Sequence, residues 1–156
     1  SDYLNKLSHI MRFMLYETKS DSILLTKEIE YIEKYVELQK IRTANSTYAH
    51  LEITGEAGTR TIAPMVFIPF IENAFKHTTN KKTEHAIHIR INIEAHTTRF
   101  ECRNKFNPEP KVKEDRVGLG NNLIQKRLNL IYPNNHILEI KVIDDLYQVI
   151  LTINHE

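Results

Sequence analysis

Glycine is scarce: there are four residues in 156, where ordinary usage near 7% gives about eleven. Collagen-like, glycine-rich linker and low-complexity readings are therefore excluded. There is one cysteine, Cys102, and no tryptophan. A single thiol excludes an internal disulfide framework and fits a reducing compartment. Long apolar runs are missing too. The longest, 63–71, is nine residues broken by Pro64 and Pro69, against the roughly twenty that a membrane span takes. Nor is charge of one sign in excess. Lys plus Arg is 21 and Asp plus Glu is 20, a net +1, so no strong field points to nucleic acid or an anionic membrane. Residues 1–15 carry charges throughout, so a signal peptide is not expected. The chain starts at Ser1 with a helical pattern from its first residues, and the expectation is a piece excised from a longer protein.

What is present is globular. Hydrophobic residues make up 41% and charged residues 26%, and the length fits one domain of about 150 residues. Residues 3–16 set Leu4, Leu7, Met11 and Met14 on one helical stripe. Residues 17–25 read as a turn. A second helix is expected from an N-cap at Thr26 to about Ala44, with Ile29, Ile32, Val36 and Ile41 on one side. Two such stripes form either a helical hairpin for dimerisation or helices packed on the following domain. From about residue 48 the period changes to two. Leu51 and Ile53 mark a short strand and 55–58 a turn. Ile87, Ile89, Ile91 and Ile93 alternate with His88, Arg90, Asn92 and Glu94. Phe100, Cys102, Asn104 and Phe106 alternate with charged residues, and 137–143 and 146–153 are two more strands around a turn at Asp144-Asp145. Helices are expected at 64–78, with Pro64 at its start and a kink at Pro69, and at 120–131. The fold class is α+β: an antiparallel or mixed sheet with helices on one face, behind a helical N-terminal segment.

Three features carry chemistry. In the helix around 64–78, Glu72, Asn73, Lys76 and His77 make two adjacent polar columns on an otherwise apolar surface. That pattern is either a solvated face with a Glu72–Lys76 pair or a face turned to something polar. Asn104 falls on the apolar side of its strand, so its amide meets backbone or a ligand. Gly118-Leu119-Gly120 directly precedes an amphipathic helix, where backbone N–H groups can approach phosphate oxygens. Before it, 107–116 holds two prolines, six charges and one aliphatic residue, the composition of an exposed loop or lid.

The order of these features resembles the GHKL ATPase superfamily, which includes gyrase and histidine kinases. Residues 72–77 (Glu-Asn-Ala-Phe-Lys-His) look like its N box. Asn104 stands where the adenine-binding acidic residue of the G1 box would be, and 118–120 look like the G2 box that ends the ATP lid. More narrowly, LSHIMRFMLYE (7–17), EIEYIEKYVELQKIR (28–42), FIPFIENAFKH (67–77) and GLGNNLIQKRLNLIYP (118–133) resemble the LytS/YehU-like sensor histidine kinases. The text 103–107 departs from the G1 box in having no glycine. The Pro-His-Phe motif of the phosphoacceptor histidine has no counterpart here, and His9 is not that residue.

The resemblance implies a Bergerat-type two-layer sandwich at 46–156, preceded at 1–45 by the tail of the dimerisation helices. It implies ATP and Mg²⁺ as cofactors, with Asn73 as the metal ligand and Glu72 orienting or deprotonating the incoming histidine. Lys76 and His77 would contact phosphates or the water shell of the metal. Gly118 and Gly120 would hold phosphate oxygens and Asn104 the adenine amino group. Lys111, Lys113 and Arg116 would either close over the triphosphate or remain a solvated loop; Arg127 is a phosphate contact or surface. The implied function is transfer of the ATP γ-phosphoryl group to a histidine upstream, for relay to a response regulator, by a homodimer whose parent is anchored in the bacterial inner membrane with this domain in the cytoplasm. The alternatives are a degenerate, non-catalytic dimerisation or signalling module and, within the superfamily, a serine kinase or ATPase.

Overall fold

A computed structural model describes residues 2–16, 19–43, 47–78, 85–106 and 119–155. Two helices come first, α1 at Asp2–Tyr16 and α2 at Leu25–Thr43. They run antiparallel: Phe13 stacks on Tyr31 with ring centroids 4.3 Å apart, and Lys6 reaches Glu37 at 3.2 Å. The buried face of α1 is Ile10 and Phe13, with Leu7 packed at its margin. This corrects the expected stripe, since Leu4 and Met11 are 61% and 55% exposed. The aromatic stack with α2 selects the face that goes under. Ile41 is likewise exposed, while Ile29, Ile32 and Val36 are buried as the spacing requires. Thr26 lies inside the first turn of α2, which begins one residue earlier than expected. The hairpin also packs on the domain, because Leu25 to Val36 share one hydrophobic cluster with the sheet.

Between the helices Ile23–Leu24 forms β1, which pairs antiparallel with β3 at Thr61–Ile62. Neither two-residue strand was expected, because two residues show no period. Strand β2 is Ala49–Thr54, β4 Ile87–Ile93, β5 Thr97–Lys105, β6 His136–Ile143 and β7 Leu146–Asn154. Their order is β2-β4-β5-β7-β6, with β2–β4 parallel and the other pairs antiparallel. The sheet is thus mixed. Alternation does the rest: Ile87, Ile89, Ile91, Phe100, Cys102, Val149 and Leu151 turn to the helical layer and are buried, while the intervening polar residues face outward.

Helix α3 is Ile68–His77 and α4 is Leu119–Ile131. The start of α3 corrects the expectation of a helix from Pro64 kinked at Pro69. Residues 64–67 are turns, Met65 has a φ of +63°, and Phe67 is the cap. Pro69 therefore sits in the first turn, where a missing N–H costs no intrahelical bond. Phe67 stacks on Phe100 at 4.7 Å and so fixes α3 over the central strand.

Candidate functional site

The fold separates the four polar residues of α3 by column. Glu72 and Lys76, one turn apart, line a cleft of about 360 Å³ against the C-terminal half of α2, with Tyr35, Gln39, Arg42, Thr43, Tyr48 and Phe75. Asn73 and His77, the neighbouring column, are half-buried and lie outside that lining. Phe75 anchors the turn, edge-on to Tyr35 at 5.9 Å and to Tyr48 at 5.8 Å. The surrounding protein strips water from the Glu72 carboxyl and raises its pKa, although the side chain stands open at the rim. Burial, with the Glu72 charge nearby, pushes the Tyr35 hydroxyl up to about 12. A carboxyl with weakened hydration beside a cation and two tyrosines is equipped to accept a proton.

Asn104 closes the other side of the region. It is 1% exposed on the helical face of β5, and its amide donates to the Lys105 carbonyl at 3.1 Å. The register Ala49, Ile87, Asn104, Tyr147 and Val142 runs as one row across the sheet. Tyr48, just before that row, meets Phe75, so the C-terminal half of α3 and Asn104 share one end of the sheet. Gly120 belongs to the first turn of α4, where backbone N–H groups have no partner within the helix. Gly118, together with Lys111, Lys113 and Arg116 of the expected lid, lies outside the described residues.

Sequence reasoning missed a buried group. Glu28 of α2 is fully buried, and its Oε2 accepts the Met65 N–H at 3.2 Å. Desolvation raises this carboxyl to about 7 against partial relief from the Met65 N–H and the Arg127 charge. Arg127 is not free surface: its guanidinium donates to the carbonyls of Met65 at 3.0 Å and Pro64 at 2.5 Å. Tyr132, just past α4, accepts the Ala63 N–H on its hydroxyl oxygen at 2.8 Å. The turn that launches α3 is therefore held by α2 and α4 together. A signal existed, since Leu25, Glu28, Ile29 and Ile32 put a charge within the apolar stripe of α2.

A mixed five-stranded sheet, helices on one face and a polar-striped helix above the central strand define a class: this chain has the fold of histidine kinase ATP-binding catalytic domains. The comparisons are with particular proteins. The catalytic domain of histidine kinase ThkA superposes with a TM-score of 0.60 at 14% identity, covering 85% of this chain and 94% of that one. The histidine kinase AdeS of Acinetobacter baumannii superposes with a TM-score of 0.58 at 12% identity, covering 98% of this chain and 77% of that one. ThkA in complex with the response regulator protein TrrA gives 0.58 at 15% identity, over 98% of this chain and 48% of that one. In sequence, residues 1–47 match the histidine kinase family model. The sensor protein kinase HptS of Staphylococcus aureus (strain USA300) is 40% identical over 74 residues, 47% of this chain. That match spans 14% of the length of HptS.

Proposed function

We propose that the chain is the ATP-binding catalytic domain of a sensor histidine kinase, which passes the γ-phosphoryl group of ATP to a histidine outside residues 1–156. The observation that carries this reading is the division of α3 into two columns at the Asn104 end of the sheet. One column, Glu72 and Lys76, faces the helical hairpin, the side from which a histidine on a dimerisation helix would enter. The other, Asn73 and His77, lies outside that lining and is assigned to the nucleotide, with the Lys76 ammonium at the border of the two serving the phosphates as well. The donor fits a hard cation: Asn73 offers an amide oxygen, and Mg²⁺ takes few protein ligands when phosphates and water supply the rest. Asn73 would hold the ion, and bound Mg²⁺ would neutralise charge on the phosphates.

The remaining work belongs to the chain itself. Glu72, with its raised proton affinity, orients the incoming imidazole and takes its proton. Lys76 and His77 place positive charge and a hydrogen-bond donor beside the phosphates. The Asn104 amide, which keeps a second N–H and its oxygen after bonding Lys105, bonds the adenine edge. Backbone N–H groups at Gly118 and Gly120 receive phosphate oxygens. In phosphoryl transfer such positioning and charge neutralisation make up most of the catalysis. Residues 1–45 end a dimerisation segment and 46–156 form the ATP-binding unit. The partner is a second copy through helices outside this chain, and a response regulator takes the phosphoryl group on from the histidine. The parent is anchored at the bacterial inner membrane with this domain on its cytoplasmic side; among the described residues, no helix is long and apolar enough to cross a membrane.

A second reading, a degenerate module without turnover, draws on the absence of glycine at 103–107 and on the Asn104 amide already committed to Lys105. Titration with a fluorescent ATP analogue separates the two. The proposal expects Mg²⁺-dependent binding that weakens in Asn73→Ala. An unchanged affinity in that variant removes the metal-ligand role, and no binding by the natural chain leaves the degenerate module.

A further inference from the structure

The face of the sheet away from the helices carries a second cluster of chemistry-bearing side chains. Strands β2 and β4 are parallel neighbours, His50 and His88 are direct register partners, and Glu52 lies two residues beyond His50 on the same face. The His50 Nε2 stands 3.0 Å from the Glu52 Oε1, and the His88 Nε2 stands 3.7 Å from the same oxygen. The His88 Nε2 is buried and, among the described residues, has no hydrogen-bond partner. All three ligand atoms lie within 4.8 Å of one another.

We infer that His50, Glu52 and His88 form a site for a divalent transition-metal ion, Zn²⁺ by the chemistry of the donors. Two imidazoles and one carboxylate are a common zinc set, with water in the fourth position. At zinc–ligand distances of about 2.0–2.2 Å, tetrahedral ligand atoms lie about 3.3 Å apart. The observed 3.0 and 3.7 Å to the shared carboxylate oxygen straddle that spacing, and with all three ligand atoms inside 4.8 Å, side-chain rotations of about 1.5 Å at most close the triangle. The positions are set by sheet register rather than by loops. His85 stacks on the His50 ring at 4.8 Å and holds its plane.

The neighbouring charges set the terms of binding. Arg90 Nε donates to the second Glu52 oxygen at 3.1 Å, and Arg103 Nη2 donates to His88 Nδ1 at 2.9 Å. While Arg103 donates to Nδ1, the single ring proton sits on Nε2. Binding therefore moves that proton to Nδ1, frees the Nε2 lone pair for the metal and releases Arg103. Glu101 lines the same small recess and gives Arg103 another acceptor. Arg103 is thus a competitor of the metal. Because β2 is an edge strand whose sheet neighbour is β4, in a parallel ladder, an ion at His50, Glu52 and His88 also cross-links it to β4.

The test is titration of the 156-residue chain with Co²⁺, read by the visible absorption of a four-coordinate ion, and with Zn²⁺, read by the melting temperature. One equivalent should bind, and Zn²⁺ should raise the melting temperature. His88→Gln and Glu52→Gln should lose both signals, while His136→Gln, on β6, keeps them. Arg103→Gln, whose amide oxygen can accept the Nδ1 proton, should bind about tenfold more tightly, the lower end of the known effect of such supporting groups. Metal-free melting of each variant reports whether it folds. For any that does not, the imidazole nitrogen resonances of His50 and His88 in the natural chain must move together at one equivalent. Absence of the four-coordinate signal, its survival in both ligand variants, weaker binding by Arg103→Gln, or resonances that stay in place would each overturn the site.

Discussion

Glu28 and Arg127 hold the peptide units on either side of Met65. The carboxylate takes the Met65 N–H at 3.2 Å, and the guanidinium donates to the Met65 carbonyl at 3.0 Å. Met65 has a left-handed φ of +63°, a conformation that costs about 1–3 kcal/mol and persists only where surroundings impose it. Residues 37 and 62 positions away in sequence impose it here. The launch of α3, and with it the aim of Glu72 and Asn73, depends on this three-way contact between α2, the turn and α4.

A pH dependence follows from the Glu28 carboxyl. Its folded pKa is about 7 against an ordinary 4.5, so the folded state binds the proton more tightly than the unfolded state. Its contribution is most favourable below pH 4.5 and is lost as pH rises through 7. At pH 8 the penalty is roughly 3 kcal/mol, and at pH 5.5 roughly 1 kcal/mol. Glu28→Gln keeps an oxygen for the Met65 N–H and carries no charge. Urea unfolding should find the variant more stable than the natural chain at pH 8, with the gap narrowing by about 2 kcal/mol at pH 5.5. A gap independent of pH would place the ionisation elsewhere.

The opposite arm of the contact has the opposite sign. Arg127→Met removes the donors to two carbonyls and the positive charge that lowers the Glu28 pKa. Charge-assisted bonds of this kind are worth about 1.5–3 kcal/mol, so unfolding in urea should show a loss of about 3 kcal/mol at pH 8. The inflection assigned to Glu28 should move further above 7. Arg127→Lys should rescue little, since a single ammonium cannot reproduce the forked geometry.

Much of the fold was legible because its elements repeat their signal. The alternation at 87–93 and 97–105 gave the strands, and the polar columns at Glu72, Asn73, Lys76 and His77 gave the site helix. The Met65 contact was not legible for a physical reason: it joins residues 28, 65 and 127, and no local period reports a tertiary meeting. Pro69 misled because proline inside a long apolar run reads as a kink, whereas the contact at Met65 delays the helix until Pro69 falls in its first turn. Likewise His88 read only as a polar residue alternating with the isoleucines of its strand, and it took the parallel pairing of β2 with β4 to set His50 beside it. The role of Asn104 was bracketed rather than fixed. Its burial on β5 followed from alternation, while its bond to Lys105 did not.

Gly55 tests the turn that follows β2. Its φ is +87°, and a Cβ there would collide with the Ile93 carbonyl at the end of β4. Gly55→Ala meets both the backbone strain and the clash, for a loss of about 2 kcal/mol or more. For a domain of this size that lowers the melting temperature by roughly 4–8 °C. Gly58→Ala is the control: its φ is +54° but nothing lies within 4 Å of the added Cβ, so it should lose less. Equal losses would mean that the close approach of β2 and β4 is not what demands glycine at 55.

The two columns of α3 predict a division of labour that kinetics can read. Glu72 and Asn73 are adjacent in sequence, yet only Glu72 lines the cleft facing α2. Glu72→Gln should therefore keep affinity for a nucleotide analogue and slow phosphotransfer to a histidine-bearing partner segment by roughly 10²–10⁴, the usual share of a general base. Asn73→Ala should instead weaken Mg²⁺-dependent binding. The pH profile adds a check on the first assignment. Desolvation raises the Glu72 pKa above its ordinary 4.5, so the basic form is lost as pH falls through that raised value. The acid limb of the transfer rate should lie above pH 4.5 in the natural chain and flatten in Glu72→Gln. If Glu72→Gln loses nucleotide binding instead, the carboxylate belongs to the nucleotide column, and the base must be sought on another element of the cleft.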